Sequence, residues 1–317
     1  MKIFKKYTEI SDDSQGAVVA MGNFDGVHLG HQSVIALARA IAATSNSPLG
    51  VITFEPHPRQ LFAPDAPAFR LMSAATRAHR INKLGIDALY ELPFNTDLSQ
   101  LTAEEFARDV LSNGLQVKHV VIGADFRFGK GRQGDAPMLE ELGAKLGFGV
   151  TVAPLISDEK GDYSSSAIRE ALSSGHPEDA ARILGHWHRI DGIVEKGDQR
   201  GRELGFPTAN ISLDDLHLPK FGVYAVLFDV LDGPHNGLYR GAASLGIRPT
   251  FGINKPNLET FLFDFSGDLY DAPVSVALVA YQRPEEKFNN LEDLIKQMNI
   301  DCFGAREILE KAIFWLR

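Results

Sequence analysis

Apolar residues fall in short blocks through the first part of the chain, separated by polar stretches with helical periodicity. Ala17–Met21, Leu49–Phe54, Ala88–Leu92, Val117–Gly123 and Val150–Ala153 read as buried strands. Gln32–Thr44, Ser73–Lys83 and Pro137–Leu146 read as helices, and Thr102 with Glu105 forms a capping box that opens another, running to about Leu111. Strands alternating with helices predict βαβ units, hence a parallel, Rossmann-like sheet with helices on both faces. From Arg189 the pattern changes. Short β-rich runs at Arg189–Glu195, Gly222–Val230, Gly241–Ile247, Glu259–Phe265 and Val274–Tyr281 lie between Gly, Pro, Asn and Asp punctuation, which predicts a small antiparallel β-barrel or sandwich. Leu291–Leu316 closes the chain as a helix.

Length and composition agree with this division. At 317 residues, with 44% hydrophobic and 23% charged residues, the chain holds two globular domains and is neither disordered nor fibrous. The change of pattern between Ser174 and Trp187 sets them at 1–185 and 186–317. A net charge of −9 argues against nucleic acid as a partner. A single cysteine, Cys302, cannot form an internal disulfide and reads as a small packing residue in a reducing compartment. Lys2, Lys5 and Lys6 are followed by Glu9, Asp12 and Asp13 rather than by an apolar run, and no stretch is long enough to span a membrane. The expectation is a cytoplasmic protein without membrane contact, a monomer or a weak homo-oligomer.

Candidate chemistry begins at the first strand-to-helix turn, Gly22-Asn23-Phe24-Asp25-Gly26-Val27-His28-Leu29-Gly30-His31. Ligands of open parallel sheets bind beyond the carboxyl ends of strands, and a helix N-terminus offers free N–H groups to phosphate. His28 and His31 lie one helical turn apart, with Gly30 leaving space between them, and both imidazoles can donate to a phosphoryl group gaining charge. Capping histidines are the bland alternative. Two later segments lie after strands on the same sheet edge: Val51–Arg59, with Phe54 and Pro56 and with Phe62 shortly beyond it, and Ile122–Gly129, with Asp125, Phe126 and Phe128. Their flat apolar rings suit a planar heteroaromatic ligand, although each phenylalanine alone is more often core. His57, between two prolines, reads as a turn residue. Gly129–Gly134 imitates a dinucleotide fingerprint, but no helix starts inside it, and it reads as a mobile basic loop.

The His-x-Gly-His signature resembles the nucleotidyltransferase superfamily, which shares it with class I aminoacyl-tRNA synthetases. The later counterpart here, Tyr163-Ser164-Ser165-Ser166-Ala167-Ile168-Arg169, lacks lysine, which favours a small-molecule acceptor over tRNA. Arg169 at a helix start suits the β and γ phosphates; a solvent-facing arginine beside a capping serine is the alternative. A second site is more specific. Gly192–Asn210 runs from a strand through a glycine-rich basic loop to Phe206-Pro207-Thr208-Ala209-Asn210. If that piece is extended, Thr208 and Asn210 face one side and can share a Mg²⁺ ion with nucleotide phosphates. Glu259, opening a phenylalanine-rich strand, is a place for a carboxylate that accepts a proton from an alcohol, and equally for an exposed strand-end glutamate.

With both segments in hand, residues 15 to 315 resemble the bacterial bifunctional riboflavin kinase/FAD synthetase family. That resemblance implies riboflavin, ATP, FMN and FAD as substrates and products, with Mg²⁺. It implies that His28 and His31 serve adenylyl transfer onto FMN, with Gly22, Asn23, Phe24, Gly30, Asp125, Ser165 and Arg169 on the nucleotide. Asp125 matches a position that varies in the family. Phe54, Pro56, Phe62 and Phe128 would contact flavin. In the second half, Thr208 and Asn210 would hold Mg-ATP beside Gly197, Arg202, Gly205 and Pro207, and Glu259 would be the base for the ribityl 5′-hydroxyl. The junction Leu184-Gly185-His186-Trp187-His188 departs from the family's usual Gly-Arg-Pro-aromatic run and reads as a linker variation.

Overall fold

The computed structural model describes residues 1–11, 14–197, 204–213, 215–247 and 255–312. These fold as two compact units: Met1–Pro67 with Ser73–Tyr163, and Ala68–Met72 with Ser164–Arg317.

The first unit is a parallel sheet. Its elements in order are β1 (Lys2–Phe4), β2 (Val18–Met21), α1 (Leu29–Ser45), β3 (Leu49–Glu55), α2 (Pro58–Phe62), α3 (Ala74–Lys83), β4 (Ala88–Pro93), α4 (Thr96–Gln100), α5 (Ala103–Glu105), β5 (His119–Gly123), α6 (Ala136–Leu146) and β6 (Gly149–Ala153), then the β7 (Ser157–Asp158) and β8 (Gly161–Asp162) ribbon. Six strands lie in the order β1-β4-β3-β2-β5-β6, every neighbouring pair parallel. All four residues of β2 are buried, as expected of a central strand covered on both faces. Helix α1 buries Val34, Ile35, Ala38 and Ala42 along one stripe and packs on β2, β3 and β5. Thr102 and Glu105 make the predicted capping box, but the helix it opens passes into a π-helix over Phe106–Gly114.

The chain leaves β2 toward β3 and β4 on one side and later returns to β5 and β6 on the other. Connections diverge between β2 and β5, which opens a crevice beyond their carboxyl ends. The loop carrying His28 and His31 follows β2 there.

The second unit holds α7 (Ser165–Ser174), α8 (Pro177–Leu184), β9 (His188–Ile193), β10 (Thr208–Ser212), β11 (Gly222–Val230), β12 (Gly237–Ile247), β13 (Pro256–Leu262), β14 (Pro273–Arg283) and α9 (Leu291–Ala312). Its six strands form an antiparallel sheet in the order β10-β13-β12-β11-β14-β9. The sheet curls until its edges meet: the Glu195 N–H donates to the Asn210 carbonyl at 2.9 Å, pairing the chain beyond β9 with β10. That contact is a single bridge, so β9 and β10 remain the two ends of a curled half-barrel sheet. Strand β11 shows the two-residue period plainly. Tyr224, Val226, Phe228 and Val230 fill the interior with Ala209, Ile211, Leu258 and Leu262, while Ala225 and Leu227 meet Ala305 and Leu309 of α9 outside.

Two boundaries differ from the sequence reading. Helices α7 and α8 cluster with the barrel, because the Lys220 N–H donates to the Leu172 carbonyl and Ser173 meets His217. Strand β13 begins at Pro256, where a missing N–H is tolerated, so Glu259 lies inside the strand instead of opening it. Residues 313–316 of the predicted last helix lie outside the described residues.

Candidate active sites

His28 is the N-cap of α1: its Nδ1 accepts the His31 backbone N–H at 3.3 Å. That acceptor role places the proton of its neutral ring on Nε2. The His31 ring stacks on His28 with centroids 3.6 Å apart and planes 23° from parallel, and Phe24 meets His31 edge-on at 5.2 Å. His28 is buried, and among the described residues the buried Nδ1 of His31 has no hydrogen-bond partner. Burial, and secondarily the charge His28 would carry, hold the His31 pKa well below its ordinary value of 6.5. His31 is therefore a neutral imidazole near pH 7. Gly30 differs from expectation. A Cβ there would lie 3.0 Å from the His28 ring and 3.1 Å from the Tyr163 carbonyl, so its missing side chain is filled by protein packing.

The turn before α1 is held under strain. Phe24 and Val27 have φ of +52° and +45°, a region that costs a non-glycine residue about 1–3 kcal/mol. Side chains that carried no sequence signal oppose that cost. The Asn23 carbonyl accepts from Thr53 Oγ1 at 3.1 Å and from Arg77 Nη1 at 3.3 Å. Arg77 is 1% exposed and its Nη2 also donates to Glu55 Oε2 at 2.9 Å and Glu91 Oε1 at 3.2 Å. Removing one partner from such a buried pair costs about 3–5 kcal/mol. Lys5, itself exposed, reaches the same buried Glu91 only at 3.8 Å.

The crevice side of the sheet also carries an aromatic chain. Phe62 meets Phe94, Phe94 meets Phe54, Phe54 meets Phe106, Phe106 meets Phe128, and Phe128 stacks on Phe126, with centroids 5.7–6.4 Å apart. Phe94 and Phe106 had not been singled out; they join the two segments that had. Phe54 and Phe128 are buried in this core, whereas Phe62 is 65% exposed and Pro56 is exposed at the strand end. Asp125 is exposed after β5, the strand beside β2. His57 caps α2, its Nδ1 accepting from the Arg59 N–H. The basic loop expected to be mobile is instead pinned. Phe128 and Gly134 exchange backbone hydrogen bonds, the Lys130 N–H reaches the Leu101 carbonyl at 2.7 Å, and a Cβ on Gly129 would stand 2.7 Å from the Ala103 nitrogen.

In the second unit, Ser164 caps α7 by accepting the Ala167 N–H, with Ser165 next in the first turn. Arg169 is not a free solvent-facing arginine: its Nε donates to the Phe69 carbonyl at 2.6 Å and its guanidinium lies over the Phe69 ring. Strand β10 is extended as required, so Thr208 and Asn210 face away from the barrel interior that takes Ala209 and Ile211. Antiparallel register sets Asn210 directly opposite Glu259. Asn257, a residue the sequence did not mark, donates from its amide to Asn210 Oδ1 at 3.2 Å and to Glu259 Oε1 at 3.5 Å. Thr208 and Asn210 border a cavity of about 280 Å³ that Gly197, Pro207, Leu269 and Tyr270 also line. Lys196 holds its ammonium 5.6 Å from the Tyr270 ring centre. Gly205 is exposed in the turn before β10, and Arg202 lies outside the described residues.

Comparison with known proteins matches two families to successive parts of the chain. The FAD synthetase family matches residues 10–167 and the riboflavin kinase family residues 184–309. A bifunctional riboflavin kinase/FMN adenylyltransferase from Pseudomonas fluorescens is 38% identical over 97% of this chain and 98% of its own. Its counterpart from Escherichia coli K12 is 37% identical over 97% of each chain, and that of Bacillus subtilis 38% over 92% of this one. A crystal structure described as a macrolide-efflux protein from Streptococcus pneumoniae superposes with a TM-score of 0.84 at 31% identity, over 99% of this chain and 98% of that one. Among the described residues, no helix is long and apolar enough to cross a membrane. Two family matches in series, and relatives matched nearly end to end, make this chain a member of the bifunctional riboflavin kinase/FMN adenylyltransferase family.

Proposed function

We propose that the chain converts riboflavin to FMN and FMN to FAD, with the labour divided between residues 1–185 and 186–317. The observation that supports this best is that two chemically different constellations occur in one chain. Two stacked imidazoles stand at a helix N-terminus in one family half, and a carboxylate pairs with an amide beside a cavity in the other. In the second half, the riboflavin 5′-hydroxyl attacks the γ-phosphorus of ATP, ADP leaves, and Glu259 takes the hydroxyl proton. Asn257 holds the Glu259 and Asn210 side chains in one register. In the first half, a phosphate oxygen of FMN attacks the α-phosphorus of a second ATP and pyrophosphate leaves. Imidazole N–H groups of His28 and His31 donate to the phosphoryl oxygens as their charge grows. Gly22, Asn23, Phe24, Gly30 and Asp125 are assigned to nucleotide; for Ser165 and Arg169 that role is what the family resemblance implies. The exposed Phe62 ring and Pro56, with Phe54 and Phe128 behind them, are assigned to flavin.

Mg²⁺ fits the second constellation as an ion that arrives with ATP. Thr208 and Asn210 supply hard, neutral oxygens on one face, and no group of three His, Cys, Asp or Glu among the described residues forms a complete cage. Mg²⁺ characteristically completes its shell with phosphate oxygens and water, and when bound it neutralises phosphate charge. The assigned partners are small molecules, and the net charge of −9 makes nucleic acid an unfavourable one. The work is assigned to the cytoplasm and to a monomer or a weak homo-oligomer; a chain with a single cysteine, Cys302, supports a reducing compartment. Chromatography of flavins after incubating the protein with riboflavin, ATP and Mg²⁺ tests the reading. FMN should appear first and FAD after it; recovery of unchanged riboflavin would refute it.

A further inference from the structure

We propose that Arg77 is a positioning residue for adenylyl transfer, tying the nucleotide-side turn to the flavin-side end of β3; this rests on the assignment of His28 and His31 above. One guanidinium, almost wholly buried, joins three things at once. Its Nη1 holds the Asn23 carbonyl, and its Nη2 holds Glu55 at the end of β3 and Glu91 on β4. Asn23 is where the chain leaves β2, and Phe24, the next residue, sits at φ +52° with its ring edge against His31. Glu55 immediately precedes Pro56, on the segment assigned to flavin. A displacement of Arg77 therefore moves both substrate-bearing segments.

Stability alone does not account for such an arrangement. A buried ion cluster is commonly no better for stability than a well-packed apolar one of the same volume. What a planar fork adds is geometry: it engages separate acceptors at fixed angles, which a lysine ammonium does not reproduce. Thr53 donates to the same Asn23 carbonyl from β3, so Arg77 and Thr53 are two clamps on one atom.

Three variants test this: Arg77→Met, Arg77→Lys and Thr53→Val. A misplacement of about 1 Å is enough to cost roughly 10²-fold in rate. Arg77→Met is expected to lower kcat for FAD formation by that order and to raise KM for both ATP and FMN. Riboflavin phosphorylation on the same chain should stay within about two-fold of wild type, as an internal control for the second unit, and circular dichroism and urea unfolding report the folding of the first. Arg77→Lys should recover only part of the loss. Thr53→Val should cost several-fold, and Thr53→Val added to Arg77→Met should cost less than the product of the two. Unchanged kinetics in Arg77→Met, or additive effects in the pair, overturn the proposal. If Arg77→Met loses the folded structure of the first unit by circular dichroism, Thr53→Val decides alone, and a neutral result there also overturns it. The His28→Ala/His31→Ala double variant separates the two levels. FAD formation surviving in it removes the site assignment, whereas its loss beside neutral Arg77 and Thr53 variants removes only the role given to Arg77.

Discussion

The two halves build their chemistry in opposite ways. In the parallel sheet, the histidines lie three residues apart on one strand-to-helix turn, and the helix itself stacks them. In the barrel, Asn210 and Glu259 lie on β10 and β13, far apart in sequence, and only the ladder register sets them opposite each other. The first arrangement is local and buried, with strain at Phe24 and Val27 opposed by Arg77 and Thr53. The second is also buried at Asn210, but it spans two strands and lies beside a cavity. A turn can be written into ten consecutive residues, whereas a cross-strand pair depends on every hydrogen bond of the ladder that aligns it.

The comparison is most sharply broken by removing the local pair. Changing His28 and His31 together to Ala should lower FAD formation by about 10⁴-fold or more, since a single preorganised donor is commonly worth about 10²–10³. FMN formation should stay near normal, and a variant still making FAD within a few-fold of wild type would dismiss the first constellation. Next in size is Glu259→Gln, which keeps shape and removes the basic oxygen. The kinase rate should fall by at least roughly 10²-fold with riboflavin binding kept, while FMN supplied externally still becomes FAD. Loss of both activities in that variant would signal misfolding instead.

A smaller effect tests whether register alone aligns the barrel pair. Asn257→Ala removes the amide shared by Asn210 and Glu259 and should slow the kinase by about 10-fold, about the worth of one hydrogen bond at 1.4 kcal/mol. A rate equal to wild type would mean that the ladder holds the pair unaided.

The smallest effect is one of stability against pH. The folded His31 pKa is depressed, so the unfolded chain binds a proton that the folded one refuses. Stability is thus fully present above the ordinary value of 6.5 and falls as pH drops from there toward the depressed folded value. The slope in that interval approaches at most about 1.4 kcal/mol per pH unit for one proton. Urea unfolding of the full chain should show this slope and His31→Gln should flatten it; an unaltered slope would assign it to another group.

Sequence determined the alternation that makes the parallel sheet, the punctuation that makes the barrel, and the strand-helix turn that presents two histidines, because each depends on neighbours a few residues away. β1 escaped because a three-residue edge strand carries too little pattern, and the π-helix after Glu105 because its start looks like any capped helix. Glu259 was legible as a strand-borne carboxylate with an exposed glutamate as the equal alternative, its role as base came from the family resemblance, and the pairing that gives it Asn210 and Asn257 as neighbours is a property of the ladder. Arg77 was not legible at all. In sequence it is one more cation on an amphipathic helix. Only packing carries α3 over the sheet and turns that cation inward, where a buried charge must find carboxylates and a carbonyl or not be buried.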